Sequence, residues 1–194
     1  METSKWKIIG RYMCELSIVV LGVLISLFLS GKLSEKNERK ALQLQLFAIQ
    51  SELADNSRLI DEFINYYDKV NQTKENIKAG KWDNNVDLWA LGWMQKFYYK
   101  RDALDMLKNT GYLRLIKDES LMLDIWRCYQ LMEIAKDDND DFMTIKKSLL
   151  SFEDDNSLPL SIERIKRFVI TIDGTGTYFH KSKEQINKVL TYKF

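Results

Sequence analysis

Carboxylates crowd one short stretch of this chain and raise the question of a metal site. The run DDNDD occupies positions 137 to 141, and Glu133 precedes it by about one helical turn. Closely spaced carboxylates supply the oxygen ligands that calcium prefers. The run lacks the central glycine and the distal glutamate of an EF-hand loop, so an acidic, solvated turn between two helices is the favoured interpretation. The candidate metal ligands are Asp137, Asp138, Asp140 and Asp141.

Other patterns that carry chemistry are scarce. His180 is the only histidine, which excludes two-histidine metal sites, and no serine-nucleophile elbow, phosphate-binding lysine loop or zinc-ligand spacing occurs. The glycines of DGTG, residues 173–176, are typical of a simple turn. We therefore predict no catalytic residue and no cofactor.

The composition favours helices. The 194 residues include one proline and eight glycines, and the net charge of +1 gives no reason to expect nucleic acid binding. Cys14 and Cys128 lie in very different settings, so a disulfide between them is implausible, and Cys128 has the helical spacing of a buried apolar residue. We predict an all-α protein.

The first predicted helix of the chain contains a long uncharged stretch. Residues 16–30 read LSIVVLGVLISLFLS, and with their flanks, residues 12–31, they reach the length of about 20 residues that crosses a bilayer. A cleaved signal peptide is the competing interpretation, but no small-x-small cleavage site closes the stretch. We predict an uncleaved transmembrane helix that follows a basic N-terminal tail, residues 1–11.

Lysine and arginine occur on both sides of this predicted span, so their count does not fix its orientation. A short basic N-terminus in the cytoplasm is the commoner arrangement, which would place the rest of the chain outside. Within the span, Gly22, Ser26 and Ser30 form a small-xxx-small series, and Glu15 shares a face with Gly22 and Ser26. This face is a candidate surface for self-association. The favoured role of Glu15 itself is simpler: it pairs with Arg11, four residues earlier, or reaches the headgroup region.

Apolar residues then continue at steps of three and four to Ile77, which predicts one long helical stalk, residues 32–79. The polar neighbours of its proximal half are typical of a narrow coiled-coil seam or of a spacer. Leu59, Ile64 and Tyr66 widen the distal face, as a helix packed in a bundle requires. The stripe comprises Leu42, Leu46, Ile49, Leu53, Asn56, Ile60, Phe63, Tyr67, Val70, Lys74 and Ile77.

Residues 80–194 are predicted to form a helical domain with the distal stalk. After a break at residues 80–85, Val86, Trp89, Trp93 and Phe97 recur on one face, continued less regularly by Leu104 and Leu107, which predicts a second helix folding back along the first. Asn109, Thr110 and Gly111 predict a helix stop. Asp118 is then a plausible N-cap for a helix whose buried face holds Leu121, Ile125, Cys128 and Met132. Further helices are expected over residues 161–170 and 182–190.

The chain resembles a family of bacterial single-pass membrane proteins that is known only as a domain of unknown function. The resemblance rests on Tyr12, Glu15 and the run IVVLGVLISL in the span, on SEKNERK from Ser34, and on NTGYLRLIKDESLMLDIWRCY from Asn109. The chain departs from the family at Cys14, where a glycine is common, and at residues 31–33, where an Asn-Trp pair is common. The resemblance implies a helical protein of the bacterial envelope and no activity.

Two functions from different classes follow. We favour a non-enzymatic module anchored in the bacterial cytoplasmic membrane, an envelope scaffold or sensor that binds an unknown protein partner and forms homo-oligomers through its transmembrane and proximal stalk helices. The alternative is a membrane-associated enzyme or effector, for example in defence, that uses Glu133, Asp137 and Asp141 at a cation site.

Overall fold

The computed structural model confirms an all-α protein. It describes residues 2–81, 95–150 and 176–193, with only the backbone described at residues 2–12, 14 and 148–150. Within these ranges there is no β-strand. The helices are α1 (Glu2–Lys78), α2 (Asp102–Asn109), α3 (Glu119–Leu150) and α4 (Thr177–Leu190), and a 3₁₀ helix covers Tyr112–Leu115.

The chain divides into two compact units, an N-terminal unit (Met1–Gln45) and a helical unit (Leu46–Phe194). Helix α1 contains a stretch that is long and apolar enough to cross a membrane, and the described side chains of this stretch are exposed, including Val19, Ile25 and Phe28. The N-terminal unit therefore carries a candidate membrane span.

The helical unit includes α1 from Leu46 onward, and so contains the distal half of the stalk that was predicted to pack with residues 80–194. Leu46 is 6% exposed, and Ile49 and Leu53 are fully buried. These three residues are thus part of the chain's own core and are not available to a second chain. The stripe that was predicted to form a narrow coiled-coil seam or a spacer is therefore, from Leu46 onward, a face that the chain buries by itself.

Helices α1 and α3 run parallel, and α4 runs antiparallel to both. Tyr129 contacts Glu52 and Asn139 contacts Tyr67, so positions ascend together along α1 and α3. Lys183 of α4 contacts Asp61, whereas the Tyr192 carbonyl beyond α4 accepts a hydrogen bond from Gln50, so positions descend. Their apolar faces form the core, which includes Ile60, Phe63, Tyr67, Val70, Leu121, Ile125, Cys128, Met132, Ala135, Phe142, Phe179, Ile186 and Val189.

The predicted helix boundaries before α3 are confirmed. Gly111 follows α2 with a φ of 71°, the left-handed conformation that glycine adopts without steric cost. Asp118 caps α3, because its carboxylate accepts a hydrogen bond of 3.1 Å from the Leu121 amide. Cys128 is fully buried on this helix, and burial raises the pKa of its thiol to about 12.

Helix α4 begins at Thr177, five residues before its predicted start, and its first turn lies tight against α1. Gly176 caps the helix with a φ of 93°, and a Cβ built at this position would lie 2.7 Å from Tyr67 Cβ. Only glycine permits this approach and this backbone conformation together. The predicted helix over residues 161–170 and the start of the DGTG turn lie outside the described residues.

The segment after α4 is fastened by a buried carboxylate. Asp124 accepts hydrogen bonds from Lys188 Nζ at 2.8 Å, Gln185 Nε2 at 3.0 Å and the Tyr192 hydroxyl at 2.9 Å. Burial alone would raise the pKa of Asp124, but these hydrogen bonds from Lys188, Tyr192 and Gln185 outweigh it and hold the pKa below its usual range. The α3–α4 interface therefore contains a charged, fully satisfied hydrogen-bond network.

Candidate functional site

A short non-helical stretch, Lys96–Arg101, lies against α1 and α3 and is called the segment below. Its sequence is KFYYKR. Phe97 is 1% exposed while Tyr98 is 67% exposed, and the rings of Phe97 and Tyr99 stack at 5.9 Å, so alternate side chains point the same way as in a β-strand. The second helix, predicted to run through Phe97 and on to Leu107, is therefore not continuous: residues 95–101 are not helical, and helix is present only from Asp102, as α2, where Leu104 and Leu107 are buried as predicted. Val86, Trp89 and Trp93 lie outside the described residues.

Two asparagines from the helices bind the main chain of the segment. Asn56 of α1 accepts a hydrogen bond from the Lys100 amide at 2.8 Å and donates one to the Lys100 carbonyl at 2.7 Å. Asn139 of α3 accepts a bond of 2.8 Å from the Phe97 amide and donates one of 3.3 Å to the Tyr67 hydroxyl. Both asparagines are buried, so their amide groups replace the partners that a neighbouring strand would provide.

The side chains of the segment complete the attachment. The Phe97 ring packs 4.8 Å from Phe179 and 5.1 Å from Phe63, measured between ring centroids. The Tyr99 hydroxyl donates a hydrogen bond to Glu133. A buried hydrophobic anchor is thus combined with polar contacts on either side of it.

Acidic side chains of α1 and α3 receive the three cations of the segment. Lys100 Nζ lies 3.0 Å from Asp55 Oδ2, Lys96 Nζ 3.9 Å from Asp140 Oδ1, and Arg101 Nη1 3.8 Å from Glu133 Oε2. The closest partner of Arg101 is Asp105 of α2, whose Oδ2 accepts a hydrogen bond of 3.1 Å from Arg101 Nε. The five residues Asp55, Asn56, Glu133, Asn139 and Asp140 are called the groove below. An open cleft of about 290 Å³ adjoins it beside Tyr98 and Lys100, where Asp55, Asn56, Arg58 and Leu59 form the wall.

The predicted interhelical turn at the aspartates is wrong, because α3 continues through them without a break. Lys136 Nζ lies 3.6 Å from carboxylate oxygens of both Asp137 and Asp140. The pKa of Asp138 is raised, first by burial and then by the negative charges of Asp141 and Asp137. Within the described residues, no three or more His, Cys, Asp or Glu side chains form a group that could hold a metal ion. Asp137 and Asp140 instead face Lys136, and Asp140 also lies 3.9 Å from Lys96.

The remaining predicted positions lie elsewhere. His180 is exposed, with Nε2 3.3 Å from Asp68 Oδ1, as expected for a surface residue. Glu15, Gly22, Ser26 and Ser30 are exposed on α1 in the N-terminal unit, and a Cβ added at Gly22 would meet no atom within 4 Å. These four residues belong to the N-terminal unit, and none of them is close in sequence to the residues of the groove.

The sequence interpretation missed Asn56 and Asn139 as site residues, although each left a signal. Asn56 interrupts an apolar stripe, and a polar residue buried in such a stripe needs hydrogen-bond partners. Asn139 is the only amide in the run of aspartates, yet it is fully buried while Asp137 and Asp141 are exposed. The partners of both asparagines are main-chain atoms about 40 residues away in sequence, which no local pattern reveals.

No protein-family model, curated protein or solved structure matches this chain.

Proposed function

We propose that the chain is a non-enzymatic interaction module anchored in the bacterial cytoplasmic membrane. Residues 12–31 serve as the single membrane span, and the helical unit lies outside the cytoplasm and binds a protein partner as an envelope scaffold or sensor. The apolar, exposed stretch of α1 supports the anchor. The resemblance to bacterial single-pass proteins, carried by the span and by residues 109–129, supports the location.

One observation carries the proposed activity. Glu133, one of the three carboxylates of the predicted cation site, and Asp140, one of the candidate metal ligands, contact Tyr99, Arg101 and Lys96 of an extended stretch of the chain's own polypeptide. A site whose charged groups are already paired with peptide side chains is arranged to hold a peptide, because a catalytic metal site keeps an open coordination position. We infer that the helical unit acts by binding polypeptide.

The same proposal includes self-association in the membrane. Gly22, Ser26 and Ser30 allow two helices to approach closely, and Glu15 lies on the same face. Because Leu46, Ile49 and Leu53 are buried in the helical unit, we restrict this interface to the N-terminal unit. Copies held in one bilayer share an orientation, which raises their effective concentration for such pairing.

Divalent cations are expected to leave the thermal stability of the protein unchanged. The full chain in mild detergent should melt at the same temperature in calcium or magnesium chloride as in sodium chloride of equal ionic strength, since a bound ligand stabilises by RT ln(1 + [L]/Kd). Circular dichroism provides the melting curve. A cation-specific rise in Tm that the variant Glu133→Gln abolishes would replace the proposal with the cation-dependent enzyme or effector.

The orientation is tested with reporters fused after Phe194. A reporter active only outside the cytoplasm should give signal, whereas a reporter active only inside should give none. The matched control is the same pair of fusions on a chain that lacks residues 1–31, which should reverse the result because no span remains to export the domain. Signal from the cytoplasmic reporter on the full chain would contradict the proposed placement.

A further inference from the structure

Three hydrogen bonds between the groove and the segment involve the segment's main chain. Asn56 binds both polar groups of Lys100, and Asn139 binds the amide of Phe97. Every extended peptide presents these same amide and carbonyl groups at the same spacing. Peptide-binding proteins that add a strand obtain affinity from main-chain hydrogen bonds and specificity from pockets for alternate side chains. The groove therefore has the affinity component of a general binding site for extended peptide.

Specificity comes from one pocket and its charged surroundings. The pocket accepts an aromatic ring, because Phe97 contacts Phe63 and Phe179 in a T-shaped arrangement and is almost fully buried. Asp140 receives a cation one position before the aromatic residue, and Asp55 receives one three positions after it. The cation four positions after it, Arg101, lies 3.8 Å from Glu133 and is hydrogen-bonded to Asp105 of α2. This pattern selects an extended peptide with one aromatic residue between basic residues.

The attachment of the segment's basic side chains is weak enough for exchange. The side chains of Lys96, Lys100 and Arg101 are 56%, 64% and 48% exposed. Ion pairs between exposed side chains contribute about 0 to 1 kcal/mol each. The open cleft beside Lys100 gives solvent, and thus an incoming chain, access to this end of the segment.

We propose that the groove is a peptide-recognition site, that Lys96–Arg101 is its resident occupant, and that a partner protein replaces this occupant with its own extended stretch of an aromatic residue flanked by lysine or arginine. This inference names the partner of the interaction module proposed above and rests on that proposal. The acidic groove matches the charge of such a stretch, and an acidic peptide would be repelled by Asp55, Glu133 and Asp140.

The test uses the full chain in nanodiscs and a fluorescein-labelled peptide, KFYYKR with blocked termini, as probe. In the variant Lys100→Glu the new carboxylate faces Asp55, so the resident segment should dissociate more often. Apparent affinity is divided by the fraction of the protein that has a free site, so the variant should bind the peptide about tenfold more tightly than the unmodified chain. Fluorescence anisotropy measures both affinities.

The controls separate the groove from general attraction between charges. Lys69→Glu makes the same charge change at an exposed position of α1 outside the groove and should leave the affinity unchanged. A peptide with alanine at the phenylalanine position should not bind, and adding Asn139→Leu to Lys100→Glu should abolish binding of KFYYKR. In Phe97→Ala, which empties the aromatic pocket, the peptide should raise Tm.

The inference is overturned if Lys100→Glu, with unchanged helical content, shows no saturable binding, or if the alanine peptide binds equally well. Its assignment of the occupant is also overturned if chemical crosslinking of Lys100→Glu gives dimers and excess peptide, added before the crosslinker, prevents them. A second copy of the chain would then supply the occupant. If the peptide does not bind, the proposed interaction module is still tested separately, by the reporter fusions and by the melting curves in divalent cations. Conversely, a cation shift that depends on Glu133 would overturn the proposed function whatever the peptide does.

Discussion

The substitution Gly176→Ala is expected to lower the free energy of unfolding of the helical unit by about 3 kcal/mol. Two costs combine. An alanine at a φ of 93° is strained by about 1 kcal/mol, and its Cβ would lie 2.7 Å from Tyr67 Cβ, an overpacking that costs about 1 to 3 kcal/mol. Tyr67 is 1% exposed and packs against Phe179 and Phe142, so it has little room to move away.

The variant Gly111→Ala carries the first cost without the second. Gly111 also has a positive φ, 71°, but a Cβ at this position would meet no atom within 4 Å. In this control the free energy of unfolding should fall by only about 1 kcal/mol, which is the conformational cost alone. Urea unfolding of the full chain in detergent, followed by circular dichroism, measures both values. Equal losses in the two variants would show that α4 does not approach Tyr67 as closely as the structure indicates.

The second large effect is expected for Asn139→Leu, which keeps the volume of the side chain and removes its hydrogen bonds. The Phe97 amide and the Tyr67 hydroxyl would both lose a partner inside the core. A buried polar group without a partner costs about 1 to 3 kcal/mol. With both groups unpaired, we expect the free energy of unfolding to fall by about 2 to 4 kcal/mol, as measured by urea unfolding.

The control for this substitution is Gln130→Leu. Gln130 is exposed on the same helix, so replacing its amide by an isobutyl group should change stability by less than about 0.5 kcal/mol. If Asn139→Leu is as mild as Gln130→Leu, the amide of Asn139 does not hold the segment. If Asn139 accepts the hydrogen bond from the Phe97 amide, Asn139→Leu must lower the free energy of unfolding clearly more than Gln130→Leu does.

Local signals in the sequence were sufficient for most of the helical framework. The period of the apolar residues predicted the course of α1 and the buried face of α3, because helical spacing directly reflects which side chains face a core. Gly111 and Asp118 marked the boundary between α2 and α3 by their intrinsic conformational and capping preferences. These features depend on residues only a few positions apart.

The candidate site depends on contacts between distant residues, and the sequence interpretation missed it for that reason. Phe97 continues a helical spacing, yet its amide binds Asn139 and its ring enters a core built by α1 and α4. Aspartates favour turns over helix interiors, but α3 continues through Asp137–Asp141, where the chain's own lysines neutralise part of the charge. Tertiary contacts thus override local preference at both places.

The proximal stalk shows a related error. Polar neighbours made the stripe around Leu46 and Ile49 resemble a narrow coiled-coil seam, but a single chain buries both residues. Gln50 and Glu52, two of those polar neighbours, bind the Tyr192 carbonyl and the Tyr129 hydroxyl. A polar residue beside an apolar stripe therefore indicated a hydrogen bond within the domain and not a solvent-exposed flank.

The central claim is that buried asparagines hold the segment by its main chain, and amide hydrogen exchange tests it most directly. In the unmodified chain the amides of Phe97 and Lys100 should exchange slowly although they belong to no helix, because Asn139 and Asn56 accept their hydrogen bonds. The variant Asn56→Ala should release Lys100 first, and Asn139→Leu should release Phe97 first. Fast exchange of both amides in the unmodified chain, with α1 and α3 still protected, would contradict the account.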